Sequence, residues 1–369
     1  MTLAISINGV PYQNFISASV NASVGTLVRA FSFVSTADVD NNFPVKVGDR
    51  VIITADGIQI LDGYIESIEI NYNDLSHDIQ VSGRSLLCDL IDSSAPNNFE
   101  KSGSTLESIA RDVLKAIGID AEVENQAGTI QSFGNDKTSA EIGMTALEFL
   151  ESYSRKRQVI LTSDGGSTLI LTRAGNSSAP EALKNIRGAR DNNIIDANRS
   201  IDFSNRFYRY TFKSQLNTSI DFFDSTPKEV ADQSGSTIDK QIRKSRLIEM
   251  NAEESSASFS LSDRAVWERN IRIGNSETYT ATVVGNSVKG KLWLPNTKVK
   301  IVDQYCQINS VMLIRDVKYD FDLYRGSRTT LTMVTEKSIS LEVEQTARQA
   351  NVKKESNDSI ANIFAGVKL

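Results

Sequence analysis

The chain has 369 residues, of which 40% are hydrophobic and 23% are charged, so it is long enough for two or three packed domains of ordinary composition. Its net charge of −6 argues against a strongly basic nucleic-acid-binding protein. The first residues lack the features of a secretory signal peptide, and no apolar run approaches the length of a transmembrane helix.

Residues 1–95 predict a set of β-strands. Apolar and polar residues alternate in LAISINGV, RAFSFVS, YIESIEINY and HDIQVSG, as expected for strands with one face in a core. Asn8-Gly9 is typical of a tight hairpin turn. Ile65 departs by one residue from the alternation of Ile68 and Ile70, which predicts a bulge or a bend at that place.

Residues 96–180 predict a small α+β domain with two helices and a hairpin. Apolar residues recur at helical spacing in STLESIARDVLKAIGI, where Ser104 and Glu107 fit a capping box and Gly118 fits the C-terminal end. The stretch TALEFLESYSRKR predicts a second helix, with Thr145 and Glu148 as its capping box. Two β-rich runs then flank an Asp-Gly-Gly turn, which predicts a hairpin.

Residues 181–340 return to strands, but a long polar segment near 217–274 interrupts them and has little periodicity. The stretch SDRAVWERNIRIG, close to the end of this segment, predicts a short helix. We expect the segment to be mobile in the free chain and to become ordered against a neighbouring protein, with Phe222, Phe223 and Trp267 as anchors. Residues 341–369 form a polar C-terminal tail.

The two β-rich regions share one pattern. In each, a turn leads into a strand, and a long alternating strand, a polar turn and another alternating strand follow. Gly48-Asp49 and Pro295-Asn296 form the two leading turns. Matched positions in the two regions are Val51 with Val299, Ile53 with Ile301, Ile68 with Val317, Ile70 with Tyr319, Tyr72 with Phe321, and Val81 with Leu331. The sequence therefore predicts one β module built twice, with the α+β unit between the copies.

This arrangement resembles the central hub proteins of contractile-tail baseplates, the Mu-like and late-control-protein group of phage tail hubs. Three stretches carry the resemblance, namely SASVNASVGTLVRAFSFVSTAD, IQVSGRSLLCDLIDSSAP and WERNIRIGNSETYTATVVGNSVKGKLWLPNTKVKIVD. The resemblance implies a mainly β fold with an α+β insertion: two similar antiparallel, tail-tube-like β-barrel domains plus a small α+β domain. The domains would span 1–95, 96–180 and 181–340, followed by the tail 341–369.

The same resemblance implies the partners and the location. A structural hub of this kind forms a homotrimeric ring that adapts the six-fold tail tube to the three-fold spike. The implied partners are further copies of the chain, the tail tube protein, the spike protein and other baseplate proteins. DNA would pass through the channel without specific binding, and no membrane is involved. The implied location is the tail baseplate of the virion, and no fused spike or lysozyme domain is expected.

No catalytic, cofactor or metal site is predicted. The lone histidine, His77, lies in a polar turn and lacks the neighbours of a catalytic triad. Cys88 and Cys306 with one histidine have no zinc-ligand spacing, and either two buried free thiols or a disulfide fits them. The alternative to a non-enzymatic hub is a tail-associated cell-wall hydrolase, because a pair of catalytic carboxylates has no sequence signature that would exclude it.

The sequence contains two clusters of basic residues. Arg155, Lys156 and Arg157 end the second predicted helix, where cations complement the helix dipole. A second cluster, formed by Lys240, Arg243, Lys244 and Arg246, lies in the long polar segment. It fits a solvated loop, a docking surface for an acidic partner, or a nucleic-acid contact.

Overall fold

The computed structural model describes residues 3–36, 45–73, 77–96, 104–133, 140, 142–157, 159–175, 177–214, 233–251 and 261–336. The chain divides into two compact units, each considered by itself below. The first unit is Met1–Asn205 with Gly274–Glu336, and the second is Arg206–Ile273 with Lys337–Leu369. None of the helices in the described ranges combines the length and the apolar character that crossing a bilayer requires.

The N-terminal part of the first unit consists of seven antiparallel strands. They are β1 (Leu3–Ile7), β2 (Val10–Tyr12), β3 (Phe15–Ser23), β4 (Ala30–Thr36), β5 (Arg50–Ala55), β6 (Ile58–Tyr72) and β7 (His77–Ser85). The predicted Asn8-Gly9 turn joins β1 to β2, with positive φ angles at both residues. The apolar residues of the alternating pattern are buried in one core, which includes Phe31, Phe33 and Val81.

A small α+β unit follows, as predicted. It contains a 3-10 turn (Leu86–Cys88), α1 (Asp89–Asp92), α2 (Leu106–Ile117), β8 (Glu122–Asn125), α3 (Ala146–Lys156), β9 (Ile160–Ser163) and β10 (Thr168–Thr172). The predicted hairpin pairs β9 with β10, and β8 adds a parallel strand on the other side of β10. The apolar faces of α2 and α3 share a core with Leu169 and Leu171 of this sheet.

The two capping predictions have different outcomes. Thr145 and Glu148 form the predicted capping box of α3, and Gly118 ends α2 with a positive φ. The expected cap of α2 at Ser104 is wrong by one residue: Thr105 accepts the Ser108 amide, and the Ser108 hydroxyl accepts the Thr105 amide. Ser104 and Thr105 are adjacent hydroxyl residues, so spacing alone did not select between them.

Three strands complete the chain before the second unit, β11 (Ser177–Ser178), β12 (Leu183–Asn185) and β13 (Ile194–Ile201). In the second unit, β14 (Arg209–Ser214) lies between β15 (Gln233–Ile238) and β16 (Leu247–Asn251) in a three-stranded sheet. Its small core joins Tyr210 and Phe212 of β14 to Leu261 and Ala265 of α4 (Leu261–Asn275).

These elements correct part of the prediction for residues 217–274. The expected helix is α4, and Trp267 is a half-buried residue of it. The polar stretch 233–251, however, forms the strands β15 and β16, which sequence periodicity did not predict. The other two expected anchors, Phe222 and Phe223, lie outside the described residues.

The C-terminal part of the first unit repeats the N-terminal strands. Its strands are β17 (Glu277–Val284), β18 (Ser287–Val288), β19 (Lys291–Leu292), β20 (Thr297–Asp303), β21 (Ile308–Asp322) and β22 (Gly326–Val334). We call β3–β7 module 1, and β13, β17 and β20–β22 module 2. The strand order β3-β4-β7-β6-β5 of module 1 matches the order β13-β17-β22-β21-β20 of module 2.

The residue register confirms the predicted repeat. Ile68 lies opposite Val81 in module 1, and the matched Val317 lies opposite Leu331 in module 2. The two leading turns also agree, since Gly48 and Asn296 both have positive φ angles. The Gly48 amide donates to the Ile65 carbonyl, and the Asn296 amide donates to the Ile314 carbonyl, each at 2.8 Å.

Two β-bulges occur at matched places in both modules. The register between the long strand and the next strand shifts at Glu66 in module 1, as the sequence predicted, and at Arg315 in module 2. The register between the first two strands shifts at Ile16 in module 1 and at Ile195 in module 2. Bulges are conserved design features of a fold, so their agreement is stronger evidence for a repeat than strand order alone.

The described strands do not form the two separate barrels that were expected. Strand β21 of module 2 pairs antiparallel with β3 of module 1, so both modules belong to one 14-stranded sheet. No pairing among the described strands closes this sheet into a barrel. The fold is mainly β with few helices, and the two modules are successive parts of one sheet.

Candidate assembly surface

The long sheet has one face that is turned away from its core. Because side chains alternate along a strand, the residues between the core positions all lie on this face. Most of them are small and polar: Ser17, Ser19, Asn21, Ser32, Ser82, Asn198, Ser200, Thr278, Thr280, Thr282, Thr330 and Thr332. We call this surface the polar face. It runs without interruption from module 1 to module 2 across the pairing of β3 with β21.

Hydroxyl groups of the polar face bond to one another between strands. The hydroxyl oxygens of Ser19 and Ser32 lie 3.0 Å apart, and those of Thr282 and Thr330 lie 3.2 Å apart. These bonds hold neighbouring strands together and use part of the hydrogen-bonding capacity of the face. The polar face therefore consists largely of short, uncharged side chains, and some of them already form hydrogen bonds with each other.

Charges on the polar face near the junction of the modules are largely balanced. Lys318 forms an ion pair of 2.8 Å with Asp320, and Arg315 at the bulge forms one of 2.9 Å with Asp316. A shallow groove crosses the face here, lined in part by Ser19 and Phe33. These carboxylates lower the capacity of Lys318 and Arg315 to neutralise phosphates, while Arg325 and Arg328 also line the groove.

The strand edges of β6 and β13 in the first unit carry exposed apolar residues. The outer edge of β6, at residues 67–72, has no strand partner among the described residues, and neither has the outer edge of β13. On β6, Ile70 is 62% exposed and Tyr72 is 79% exposed, and on β13 Ile201 is 54% exposed. Open edges with apolar side chains are sites of strand addition.

In module 2 the matched edge is covered. Strand β3 pairs with β21 there, and Tyr319, the counterpart of Ile70, is completely buried. The same edge of the same module is thus occupied in one copy and open in the other.

In the described part of the chain, one group of potential metal ligands comes together, formed by Glu66, Cys88 and Asp92. Arg84 already occupies the centre of this group. Its guanidinium lies 2.6 Å from Glu66 and 2.6 Å from Asp92, and these bonds raise the pKa of the Arg84 guanidinium. Burial and the neighbouring Asp89 raise the pKa of the Cys88 thiol to about 11, which disfavours the thiolate that binds metals. The group is an ion-pair network around an arginine.

The other residues singled out from the sequence are dispersed. His77 is exposed at the start of β7 and stacks on Tyr72 with ring centroids 6.2 Å apart. Cys88 and Cys306 are both free thiols, and only Cys88 is buried.

The two basic clusters also have different surroundings. At the end of α3, Arg157 donates to the carbonyl oxygens of Gln131 and Ser132 and covers the Phe133 ring at 4.2 Å. In the loop between β15 and β16, three of the basic residues are exposed, Lys240, Arg243 and Lys244. Arg246 instead lies over the Phe207 ring at 5.2 Å. Arg157 of the first cluster is therefore structural, while Lys240, Arg243 and Lys244 of the second cluster are accessible.

Comparison with protein families gives three matches along the chain. Residues 2–85 match the N-terminal domain of the Mu phage baseplate assembly protein GpP-like family. Residues 87–173 match the second domain of the baseplate hub protein gp44-like family, and residues 257–342 match the fourth domain of the Mu phage baseplate assembly protein GpP family.

The chain is also 24% identical over 360 residues to the baseplate hub protein gp44 of Escherichia phage Mu, covering 93% of this chain and 90% of that protein. The chain is a homologue of Mu-like baseplate hub proteins. Its role is that of a structural baseplate hub protein, located in the virion tail.

Two solved structures share the fold of this hub homologue. The 43 kDa tail protein of prophage MuSo2 from Shewanella oneidensis has a TM-score of 0.77 and 24% identity, covering 92% of this chain and 99% of that one. The tail protein from Neisseria meningitidis MC58 has a TM-score of 0.75 and 21% identity, covering 92% and 100%. The mainly β architecture is therefore shared with other phage tail proteins.

The sequence led us to expect open β edges and a passage lined by acidic or neutral polar side chains, but not which strands would carry them. The polar residues of the alternating strands were visible, but nothing indicated that β3 and β21 pair and merge two faces into one. The available signal was the apolar character of Ile70 and Tyr72 in a strand with a repeat partner. Once the repeat is known, such residues mark an edge that is covered in the other copy.

Proposed function

We propose that three copies of the hub homologue form a ring of six modules that adapts the six-fold tail tube to the three-fold spike. One observation carries this proposal: module 1 and module 2 have the same strand order, register and bulges within one sheet. Each chain has two equivalent modules, so a ring of three chains presents six similar positions to the tail tube. The same ring presents three identical chains to the spike. Closed cyclic rings are a common result of such repeated contacts.

The polar face lines the passage through this ring, and DNA crosses it without specific binding. A lining of Ser, Thr and Asn hydroxyl and amide groups gives few sites for phosphate neutralisation. At the junction, Lys318 and Arg315 are paired with carboxylates. Weak binding suits passage, because each neutralised phosphate adds affinity and would slow transit.

The domain organisation follows from the same arrangement. We assign residues 1–95 and 181–340 to the two tube-like domains and residues 96–180 to the α+β domain. The family matches to residues 2–85 and 87–173 lie close to the ranges 1–95 and 96–180. Closure of the sheet into a barrel is then a property of the ring. The partners are the tail tube protein, the spike protein and other baseplate proteins, and the hub acts without catalysis.

Native mass spectrometry of the hub, alone and with tail tube protein, tests this proposal. We expect three copies of the 369-residue chain in the complex with tube protein. A complex with any other number of copies contradicts the proposed ring. A peptidoglycan-clearing assay on the same preparation addresses the non-enzymatic role, for which we expect no clearing.

A further inference from the structure

The pairing of β21 with β3 shows how one module joins the next. Val317 lies opposite Ala22 and Tyr319 lies opposite Val20 in an antiparallel register that runs from Asp316 to Asp322. The Ser23 hydroxyl donates to Asp316 at 2.6 Å, at one end of this junction. At the other end, the rings of Phe15 and Phe321 meet edge to face at 5.4 Å.

Each strand of the junction has a counterpart in the other module. The register matches β21 with β6, so Val317, Tyr319 and Phe321 correspond to Ile68, Ile70 and Tyr72. Strand β3 corresponds to β13: Ala18 pairs with Phe33 of β4, as Ala197 pairs with Ala281 of β17. The shared bulges at Ile16 and Ile195 fix this match to the residue.

A local turn supports the match of β3 with β13 independently. The Ser23 hydroxyl accepts the amide of Gly25 at 3.1 Å, and the Asp202 carboxylate accepts the amide of Ser204 at 2.7 Å. Ser23 and Asp202 are counterparts, and both hold the residue two positions later. The two strands therefore leave the sheet in the same way.

We propose that the open edge of β6 pairs antiparallel with β13 of a second copy of the chain, in the register that places Ile68 opposite Ile201 of that copy. This proposal rests on the proposed ring and specifies the contact that closes it. In the same register, Ile70 lies opposite Arg199 and Tyr72 lies opposite Ala197 of the second copy. The contact repeats the β21–β3 junction between chains.

The side chains fit this register. Ile70, Tyr72 and Ile201 are exposed in the single chain by 62%, 79% and 54%, and the junction covers all three. Tyr72 and Ile194 take the places of Phe321 and Phe15, which keeps an apolar contact at that end. At the opposite end, Ser67 and Asp202 take the places of Asp316 and Ser23. The hydroxyl and the carboxylate are exchanged, so the bond between them persists with its direction reversed.

The contact joins unlike surfaces, so it is heterologous. Each chain has one open β6 edge and one open β13 edge, and each contact uses one of each. Head-to-tail contacts of this kind generate a closed ring or a filament. Within one chain, the pairings of the described strands do not join β13 to β6, so each of these edges is available to another copy.

A pair of cysteines on the polar side of the contact tests the register. Glu69 lies opposite Ser200 of the second copy, so the variant Glu69→Cys/Ser200→Cys should form a disulfide between chains in purified tails under mild oxidation. The matched control Glu69→Cys/Asn198→Cys shifts one cysteine by two residues on the same face, to a diagonal position too distant for a disulfide. Both variants replace exposed residues, and circular dichroism verifies that they fold.

We expect the first variant to give a covalently closed trimer on a non-reducing gel. The amount of cross-linked trimer should be at least tenfold larger than for the control and for each single cysteine variant. A trimer by native mass spectrometry with no preferential cross-link between positions 69 and 200 overturns this inference and leaves the proposed ring intact. Absence of any three-copy complex in wild-type tails overturns both. A cross-linked ladder longer than three chains contradicts the closed ring and supports the edge contact.

Discussion

Glu66 and Arg315 occupy the same β-bulge in two copies of one module. At each of them the long strand gains one unpaired residue against its neighbour, and pairing resumes beyond it with the register shifted by one residue. The bulge lets a single long strand pair with one neighbour in its first half and with another in its second half. The repeat is therefore a property of backbone geometry and not only of apolar pattern.

Substitution of Ile201 by Asp should prevent assembly and leave the single chain folded. Ile201 is 54% exposed in the chain, so we expect a change in unfolding free energy within about 0.5 kcal/mol. In the ring the new carboxylate would face Ile68 of the second copy in an apolar contact, where an unpaired charge is unfavourable. Native mass spectrometry with tube protein measures the loss of the complex.

Val284→Asp is the matched control for this variant. Val284 is 66% exposed near the end of β17 and lies on neither open edge. The Val284→Asp variant should assemble as the wild type does. Equal loss of assembly in both variants would show that an added negative charge, and not the β13 edge, is responsible.

Thr105→Ala should destabilise the α+β unit by about 1 kcal/mol, because Thr105 caps α2 through the amide of Ser108. Ser104→Ala should change stability by less than about 0.5 kcal/mol, since its hydroxyl has no such role. Thermal unfolding of the two variants compares these effects. A larger loss of stability in Ser104→Ala than in Thr105→Ala would indicate that Ser104 is the cap, as the sequence pattern predicted.

The buried ion pair of the second unit should be sensitive to removal of one partner. Arg206 and Asp239 have side chains only 3% and 4% exposed and lie 2.7 Å apart. Asp239→Ala leaves the guanidinium buried without its carboxylate, and we expect a loss of about 3–5 kcal/mol. Hydrogen exchange of the amides of β14 measures the local opening free energy.

An exposed ion pair on the same sheet provides the control. Lys213 and Glu249 lie 2.7 Å apart with side chains 50% and 64% exposed. Lys213→Ala should cost less than about 1 kcal/mol, because solvent screens such pairs. Similar losses for the two variants would mean that burial does not distinguish the pairs.

Asp303 should make stability fall at acid pH. Burial by itself would raise the pKa of the Asp303 carboxyl, but bonds from the Tyr279 hydroxyl at 2.7 Å and from the Cys306 and Tyr305 amides lower the net pKa. A carboxyl with a lowered folded pKa contributes stability above its unfolded pKa of about 3.9, and this contribution is lost as pH falls below that value.

Urea unfolding at pH 7 and at pH 3 measures this effect. The difference between the two unfolding free energies should be smaller in Asp303→Asn than in the wild type, because the amide does not titrate. Tyr279→Phe should reduce the difference in part, since it removes one of the bonds that lower the pKa. An unchanged pH dependence in Asp303→Asn would contradict the assignment.

Local features of the fold were predictable where sequence and backbone are directly coupled. The misplaced Ile65 predicted the bulge at Glu66, since an extra residue must break the alternation of side chains. Asn8-Gly9 predicted its turn because both positions need positive φ. The repeat was predictable because its apolar positions keep their spacing in both regions.

The rest depended on contacts between distant parts of the chain. Strands β15 and β16 are short, and in the described residues the apolar core beside them is formed with β14, α4 and Phe207. Gly235 illustrates this, since a Cβ there would meet the backbone nitrogen of Ser262 in α4 at 2.2 Å. The pairing of Ala22 with Val317 joins residues far apart in the sequence, so no local pattern indicated the continuous polar face.

Electron cryomicroscopy of the assembled tail baseplate tests the central claim most directly, because it shows the number of hub chains and the strands that meet between them. We predict three chains whose six modules form one ring, with the polar face toward the passage and Ile68 of each chain opposite Ile201 of the next. A hub layer with a different number of chains, or with the polar face turned away from the passage, would contradict this account.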